Sequence, residues 1–288
     1  MKLLLFPAII ILFTTTSCRK VFDFIRDHPD AHDSLCRVTN INLNDAYNVP
    51  IVADISYNSK GNPITIFVHF PGYPPSTLGF IASVNRWFKY DKYDRLLYSF
   101  INFPSGGGGP PPDPNITYGL GFHKYAYPRP NFITDSLIFY PSDTTYPPIY
   151  DSVNGTSITG YTLDARGRIS KVWNLSRDPH QPPQLIQEMV YDANGNLPLP
   201  DTSLSYDDKV NPYRTNKIWQ FVFNDYSRNN MVKIDYFYFT QYNSFGLPLN
   251  LRNLQDYPYY HYLFGLYNTA ADMTFTYACS APKGPINY

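Results

Sequence analysis

A five-residue phrase recurs along this chain: an aromatic residue or leucine, then Asp or Asn, two free positions and Gly. Copies begin at Tyr57, Leu163, Tyr191 and Tyr242, and a degenerate copy at Tyr90 carries Asp94 in the glycine place. Asp and Asn side chains bond their own backbone at turns, and glycine supplies the positive φ that closes a short hairpin loop without steric cost. Alternating text follows the copies, as in Ile64, Ile66, Val68 and Phe70, or Leu96, Tyr98 and Phe100 after Arg86, Phe88 and Tyr90. Period two means strand. The phrase therefore specifies sequential β-hairpins and needs no catalytic chemistry to explain it.

Composition agrees. Glu188 is the single Glu among the acidic residues, and 27 Tyr and 20 Phe stand among 288 residues. Asp favours turns over helices, and aromatic rings fit a pleated surface. The expectation is an all-β fold, an antiparallel up-and-down meander of about ten to fourteen strands, forming a strongly curved sheet or a closed barrel that hides its edges. The clearest alternation runs from Ile218, with Trp219, Phe221 and Phe223 on one face. A turn at 227–230 is expected to lead into one return strand through Val232, Ile234, Tyr236 and Tyr238. Ala271, Met273, Phe275 and Tyr277 read as a further arm, and a short helical turn is expected within 250–256.

The chain opens with Met1 and Lys2, an apolar run over 3–13, and small residues up to Ser17 before Cys18. That pattern is an export signal at 1–17, and its apolar run is too short for a membrane helix. Cys18 stands where a lipoprotein signal ends and the lipidated residue begins; the other reading is an ordinary signal with an incidental cysteine. Residues 18–35, rich in Asp and interrupted by Pro29, read as a tether, 36–280 as the β-meander domain and 281–288 as a C-terminal tail. With 23 basic and 23 acidic residues the net charge is zero, which argues against a nucleic-acid partner. Cys36 and Cys279 stand near the two ends of the domain. Either they bridge the first and last strands, joining edges that would otherwise be free, or they are two buried thiols; a bridge places their Cα atoms about 4.4–6.8 Å apart.

Several stretches together carry a likeness: Cys18 closing the signal, Cys36-Arg37-Val38, the turn from Tyr191 to Leu197, Asn229-Asn230 and Thr276-Tyr277-Ala278-Cys279. The most specific is Tyr206-Asp207-Asp208-Lys209-Val210-Asn211-Pro212-Tyr213. The chain resembles the uncharacterised lipoproteins of Bacteroidota whose domains have a porin-like β-meander; its turns are also similar to the YD repeats of large cell-surface proteins. The resemblance implies a curved or barrel-like antiparallel sheet outside the cytoplasm, and implies no reaction.

Candidate chemistry is sparse. His28 and His32 lie among Asp27, Asp30 and Asp33, but a tether offers no second shell to orient them, so no metal and no cofactor are expected. The stretch from Gly155 to Gly160 misses the nucleophile-elbow spacing, and the glycines at 106–109 lack the Lys-Ser or Lys-Thr of a phosphate loop. Asp207 and Asp208 are adjacent, so on a strand they point to opposite faces, and in a turn they cap backbone groups. What remains is the aromatic surplus. Trp87, Trp173, Trp219, Tyr257, Tyr259, Tyr260 and Tyr262 are the candidates for stacking on a ligand, unless such rings fill the inside of the sheet. The long Pro-rich loops at 104–112, 141–148 and 178–183 are expected at one end of the sheet, where binding residues gather. The expectation is an outer-membrane lipoprotein on the periplasmic or cell-surface face, held to the membrane through Cys18. It would be a non-enzymatic module that binds or scaffolds a glycan or protein partner, the alternative being a glycan-degrading hydrolase.

Overall fold

The computed structural model describes residues 36–44, 50–72, 85–102, 121–138, 158–176, 180–199, 202–233, 236–253, 263–266 and 272–280. The signal, Cys18, the tether with His28 and His32, the insertion at 106–112, the tyrosine run at 257–262 and the tail at 281–288 lie outside them.

Ten consecutive strands pair antiparallel, each with the next: β1 (Cys36–Asn44), β2 (Pro50–Tyr57), β3 (Pro63–His69), β4 (Asn85–Tyr90), β5 (Leu96–Asn102), β6 (Gly121–Arg129), β7 (Phe132–Ile138), β8 (Ile158–Leu163), β9 (Ile169–Leu175) and β10 (Gln184–Glu188). The chain then leaves the sheet for a separate ribbon of β11 (Ser205–Val210) and β12 (Asn229–Val232), and returns as β13 (Phe237–Tyr242), β14 (Pro248–Asn253) and β15 (Met273–Cys279). β15 docks beside β1, giving a 13-stranded sheet with β10 and β13 at its edges. Among the described residues the chain is all-β, an antiparallel meander, with one α-helix.

The turn phrase works as its residues dictate. At Asn58, Asp91, Asp164 and Asn243 the side-chain Oδ1 accepts the backbone N–H groups two and four residues on, at 2.8–3.0 Å. Gly61, Gly167, Gly195 and Gly246 take φ of 74–91°, and Asp94 takes 62° in the degenerate copy. Tyrosines near the turns, two of them opening a phrase, have a task of their own. Tyr90 donates its hydroxyl hydrogen to the Pro63 carbonyl, Tyr127 to Leu96, Tyr191 to Ile169 and Tyr277 to Pro248, at 2.7–2.9 Å. Each acceptor lies two residues past the glycine position of another hairpin, so a ladder of tyrosines ties the turn end of the sheet together. Arg95 and Arg168 pair with the turn carboxylates of Asp91 and Asp164 and lie over the rings of Tyr127 and Tyr191. An up-and-down meander places its other connections at the opposite end, and those after β3, β5 and β7 are the long ones.

Residues 211–226 are where sequence and structure part. Alternation at 218–224 predicts a strand, yet Lys217–Val222 is a helix, α1, preceded by a buried 3-10 turn at Pro212–Thr215. Asn211 and Asn216 decide this. Their side chains accept the N–H groups of Tyr213 and Ile218 and cap the two turns in succession. Ile218, Trp219, Gln220 and Phe221 are all buried, so this segment has no solvent face for a period to reveal. The single return strand is also corrected. Lys233 accepts from Tyr236 and Phe237 in a turn that separates β12 from β13. In the window expected to hold a helical turn, residues 250–253 belong to β14.

Helix α1 fills the inner face of the sheet. The Trp219 ring meets Phe88 at 5.4 Å and Phe264 at 5.5 Å, edge to face, and Phe221 meets Tyr125 and Tyr161 at 5.3 and 5.5 Å. These rings join Ile41, Ile55, Ile66, Leu96, Ile169 and Leu251 in one core. The β11–β12 ribbon reaches towards both edges of the sheet. Asn229 N–H donates to Asn196 beyond β10, while Val210 N–H donates to Gly246 and Tyr242 O–H to Asp207 beside β13.

Cys36 and Cys279 face each other across β1 and β15 in a disulfide, so the bridge forms as expected, with Cα atoms 4.0 Å apart, slightly closer than the 4.4–6.8 Å expected above. The bond does not join free edges. Because the chain detours after β10 and re-enters at β13, the first and last strands meet within the sheet.

Burial pushes the hydroxyls of Tyr127 and Tyr161 up to about 12, and those of Tyr90, Tyr125, Tyr191, Tyr213 and Tyr277 also upward. A group whose folded pKa exceeds its unfolded value of about 10 contributes stability that is complete below about pH 10 and lost as pH rises through the folded value. In an alkaline titration followed at tyrosinate absorbance, these residues should ionise in one cooperative step together with loss of near-UV circular dichroism. Smooth titration with the fold intact would contradict the ladder.

Candidate functional site

Register assigns every strand residue to a face. Ile66 and Phe88 are buried against the core, so Thr65, Phe67 and Trp87 point outward; Phe100 and Tyr98 stand opposite Trp87 and Lys89 on the same face, a register shift having turned the strand after Leu96. Trp87 stands opposite Phe100, which stands opposite Phe122. The rings of Phe100 and Phe122 stack at 5.5 Å, Tyr98 sits 5.8 and 5.9 Å from the two, and Phe67 stacks on His69 at 6.1 Å. Phe122 is buried and forms the floor; Trp87, Tyr98 and Phe100 are half-buried and Phe67 is 39% exposed. The strip crosses β3 to β6. On the β1–β2 side its flank is polar: Asn40 bonds Asp54 and Ser56 bonds Thr65, and Asn250 bonds Gln241 further along, on β14 and β13.

A second group lies on the inner face, at the end of the long connections. Ser99 on β5 stands opposite His123 on β6, whose Nδ1 lies 3.0 Å from both carboxylate oxygens of Asp135 on β7. Serine, histidine and aspartate on three successive strands follow the order of a nucleophile, its base and an orienting acid. The geometry stops short of that chemistry. Ser99 is wholly enclosed, and among the described residues its Oγ has no hydrogen-bond partner, so it is neither paired with His123 nor exposed. Nearby, Arg86 projects inward from the first turn of β4 and lies over the Phe223 ring at 5.2 Å. Its Nε is enclosed without an acceptor, and desolvation lowers the guanidinium pKa.

The sequence candidates therefore divide. Trp87 belongs to the outer strip. Trp173 is also outward-facing but on β9, five strands further on, where its Nε1 donates to Thr162. Trp219 is core, fully buried, which is the filling role. Tyr257, Tyr259, Tyr260 and Tyr262 lie outside the described residues. Asp207 caps: it accepts from Lys209, Asn230 and Tyr242, while Asp208 is exposed beside Lys209. Among the described residues no group of three His, Cys, Asp or Glu is placed to hold a metal. Sequence reasoning missed Tyr98, Phe100 and Phe122 as partners of Trp87, and Arg86 altogether; only strand register brings them together. No family model matches the chain, and no curated protein matches it.

The wall beside Arg86 gives a test of local packing. A Cβ added at Gly265, whose φ is +76°, would lie 2.7 Å from Arg86 Nε, whereas Gly167, at φ +75°, faces open space. Gly167→Ala should cost about 1–2 kcal/mol from backbone strain alone. Gly265→Ala should lower the urea midpoint further, and the excess should vanish in an Arg86→Ala background, as a double-mutant cycle reads directly.

Proposed function

We propose that this chain is a lipid-anchored cell-envelope protein, exported on the segment 1–17 and held through Cys18 to the outer membrane on its periplasmic or surface face. Its domain is a non-enzymatic binding module for a glycan or for an extended protein chain, and its sheet curves into a barrel-like body that the β11–β12 ribbon completes. The observation that supports binding is the aromatic strip of Phe67, Trp87, Tyr98 and Phe100. Three neighbouring strands, β3 to β5, put large rings on the solvent side there, while the outer face of β1 and β2 beside them is polar. Flat apolar faces with polar surroundings suit stacking on sugar rings. Among the described residues no helix is long and apolar enough to cross a membrane. The Bacteroidota lipoprotein resemblance points to the same compartment.

A Cys18→Ala form of the full chain, which carries no lipid, applied to an array of bacterial and plant polysaccharides should retain a subset of them. Trp87→Ala and Phe100→Ala should each weaken that binding about tenfold, some 1.4 kcal/mol, with unchanged thermal midpoints. Equal binding by both variants would remove the strip from the account. Cleavage of the retained glycan would instead assign the chain to the hydrolase alternative.

A further inference from the structure

Arg86 is the anomaly of the inner face. The turn arginines Arg95 and Arg168 each have a carboxylate four residues back, at 2.7 and 2.8 Å. Among the described residues Arg86 makes no ion pair and no hydrogen bond, although its Nε is enclosed. A guanidinium taken out of water without a counter-charge destabilises a fold unless something pairs with it. Aromatic stacking on Phe223 offsets this only in part.

The surroundings restrict the group. Its Cζ lies over the Phe223 ring at 5.2 Å, and the backbone of Gly265 approaches its Nε and Nη2, close enough that no Cβ fits between. That backbone is strained. Phe264 and Gly265 take φ of 55° and 76° in succession, and Phe264 is a bulky residue in the left-handed region. Strain of this kind persists where the surroundings over-determine it, and it gathers at ligand clamps. Here the Tyr213 hydroxyl accepts the Phe264 N–H at 3.2 Å, and Tyr213 and Trp219 pack on the Phe264 ring at 4.9 and 5.5 Å. Phe223 and Gly265 thus both pack against the guanidinium, and Arg86 keeps part of its surface open, at the sheet end where the long connections lie. A rigid guanidinium edge matches a carboxylate or phosphate through two parallel N–H···O bonds.

We propose that Arg86 is the recognition residue of an oxyanion-binding site at the mouth of the inner face, which takes the carboxylate or phosphate of a small acidic ligand such as a sugar acid or sugar phosphate. The site is on the opposite face from the aromatic strip, so the two stand or fall separately. The anion supplies the counter-charge that the fold withholds, and Gly265 and Phe223 restrict the guanidinium that receives it.

The test compares the full-length Cys18→Ala protein with added glucuronate, glucose 1-phosphate or neutral glucose at constant ionic strength. At about 50 mM, one or both anions should raise the thermal midpoint by about 2 °C or more, and glucose should not. Glucuronate alone would mark a carboxylate site, and glucose 1-phosphate alone a phosphate site. Arg86→Gln should abolish the shift, and Arg252→Gln, at an exposed arginine, should leave it unchanged. Should Arg86→Gln not fold, Arg86→Lys serves. It keeps the charge without the fork and should weaken the apparent affinity at least fivefold. No anion-specific shift, an equal shift in the Arg86 variant that folds, or equal loss in Arg252→Gln would each overturn the proposal.

Discussion

The contact between Trp219 and the inner face of the sheet is the interaction on which the rest depends. A 13-stranded antiparallel sheet presents one long apolar face, and the chain covers it with its own detour between β10 and β13. Trp219 is fully buried and touches Phe88 from the sheet and Phe264 from the connection between β14 and β15. Burying a ring of this size contributes about 4–6 kcal/mol by area. The same helix also engages β6 and β8, through Phe221 against Tyr125 and Tyr161. Helix α1 is short, and its Asn216 cap, following the Asn211 cap of the preceding 3-10 turn, sets where both rings meet the sheet.

The two ends of the sheet have different work. At the tight-turn end, Asx turns, tyrosine hydroxyls and stacked arginines repeat from hairpin to hairpin, and every polar group named there has a partner. The disulfide adds a seam between β1 and β15. In the chain-entropy picture a closed loop of this length contributes about 5 kcal/mol at most. At the other end the connections are long and the inner face carries Arg86, Ser99, His123 and Asp135, of which only the last two satisfy each other. Among the described residues, the polar groups named at the tight-turn end are all partnered, whereas Arg86 Nε and Ser99 Oγ at the other end are not.

Much of this was legible in the sequence, and the parts that were not share a cause. The five turn phrases were readable because a hairpin loop is local: Asp164, Gly167 and Arg168 meet within a few residues of one another. The strands at 63–69, 85–90 and 96–102 were readable because one face is core and the other solvent. The helix at Trp219 was not, since a segment buried on all sides has no polar face to mark its period. The candidate sites were legible only as residue types. Trp87 could be named, but its neighbours Phe100 and Phe122 come from the pairing of β4, β5 and β6, and Arg86 meets Gly265 across the whole length of the domain. Position relative to the edges was equally hidden, because nothing local in Cys36 or Cys279 tells that β1 and β15 close in mid-sheet.

Equilibrium urea unfolding of Trp219→Ala, set against Trp87→Ala, tests the central claim most directly. If Trp219 holds the detour against the sheet, its removal lowers stability by about 3–5 kcal/mol, while removal of the outward Trp87 lowers it by less than about 1 kcal/mol. A loss at Trp219 no larger than at Trp87, with cooperative unfolding preserved, would contradict the account.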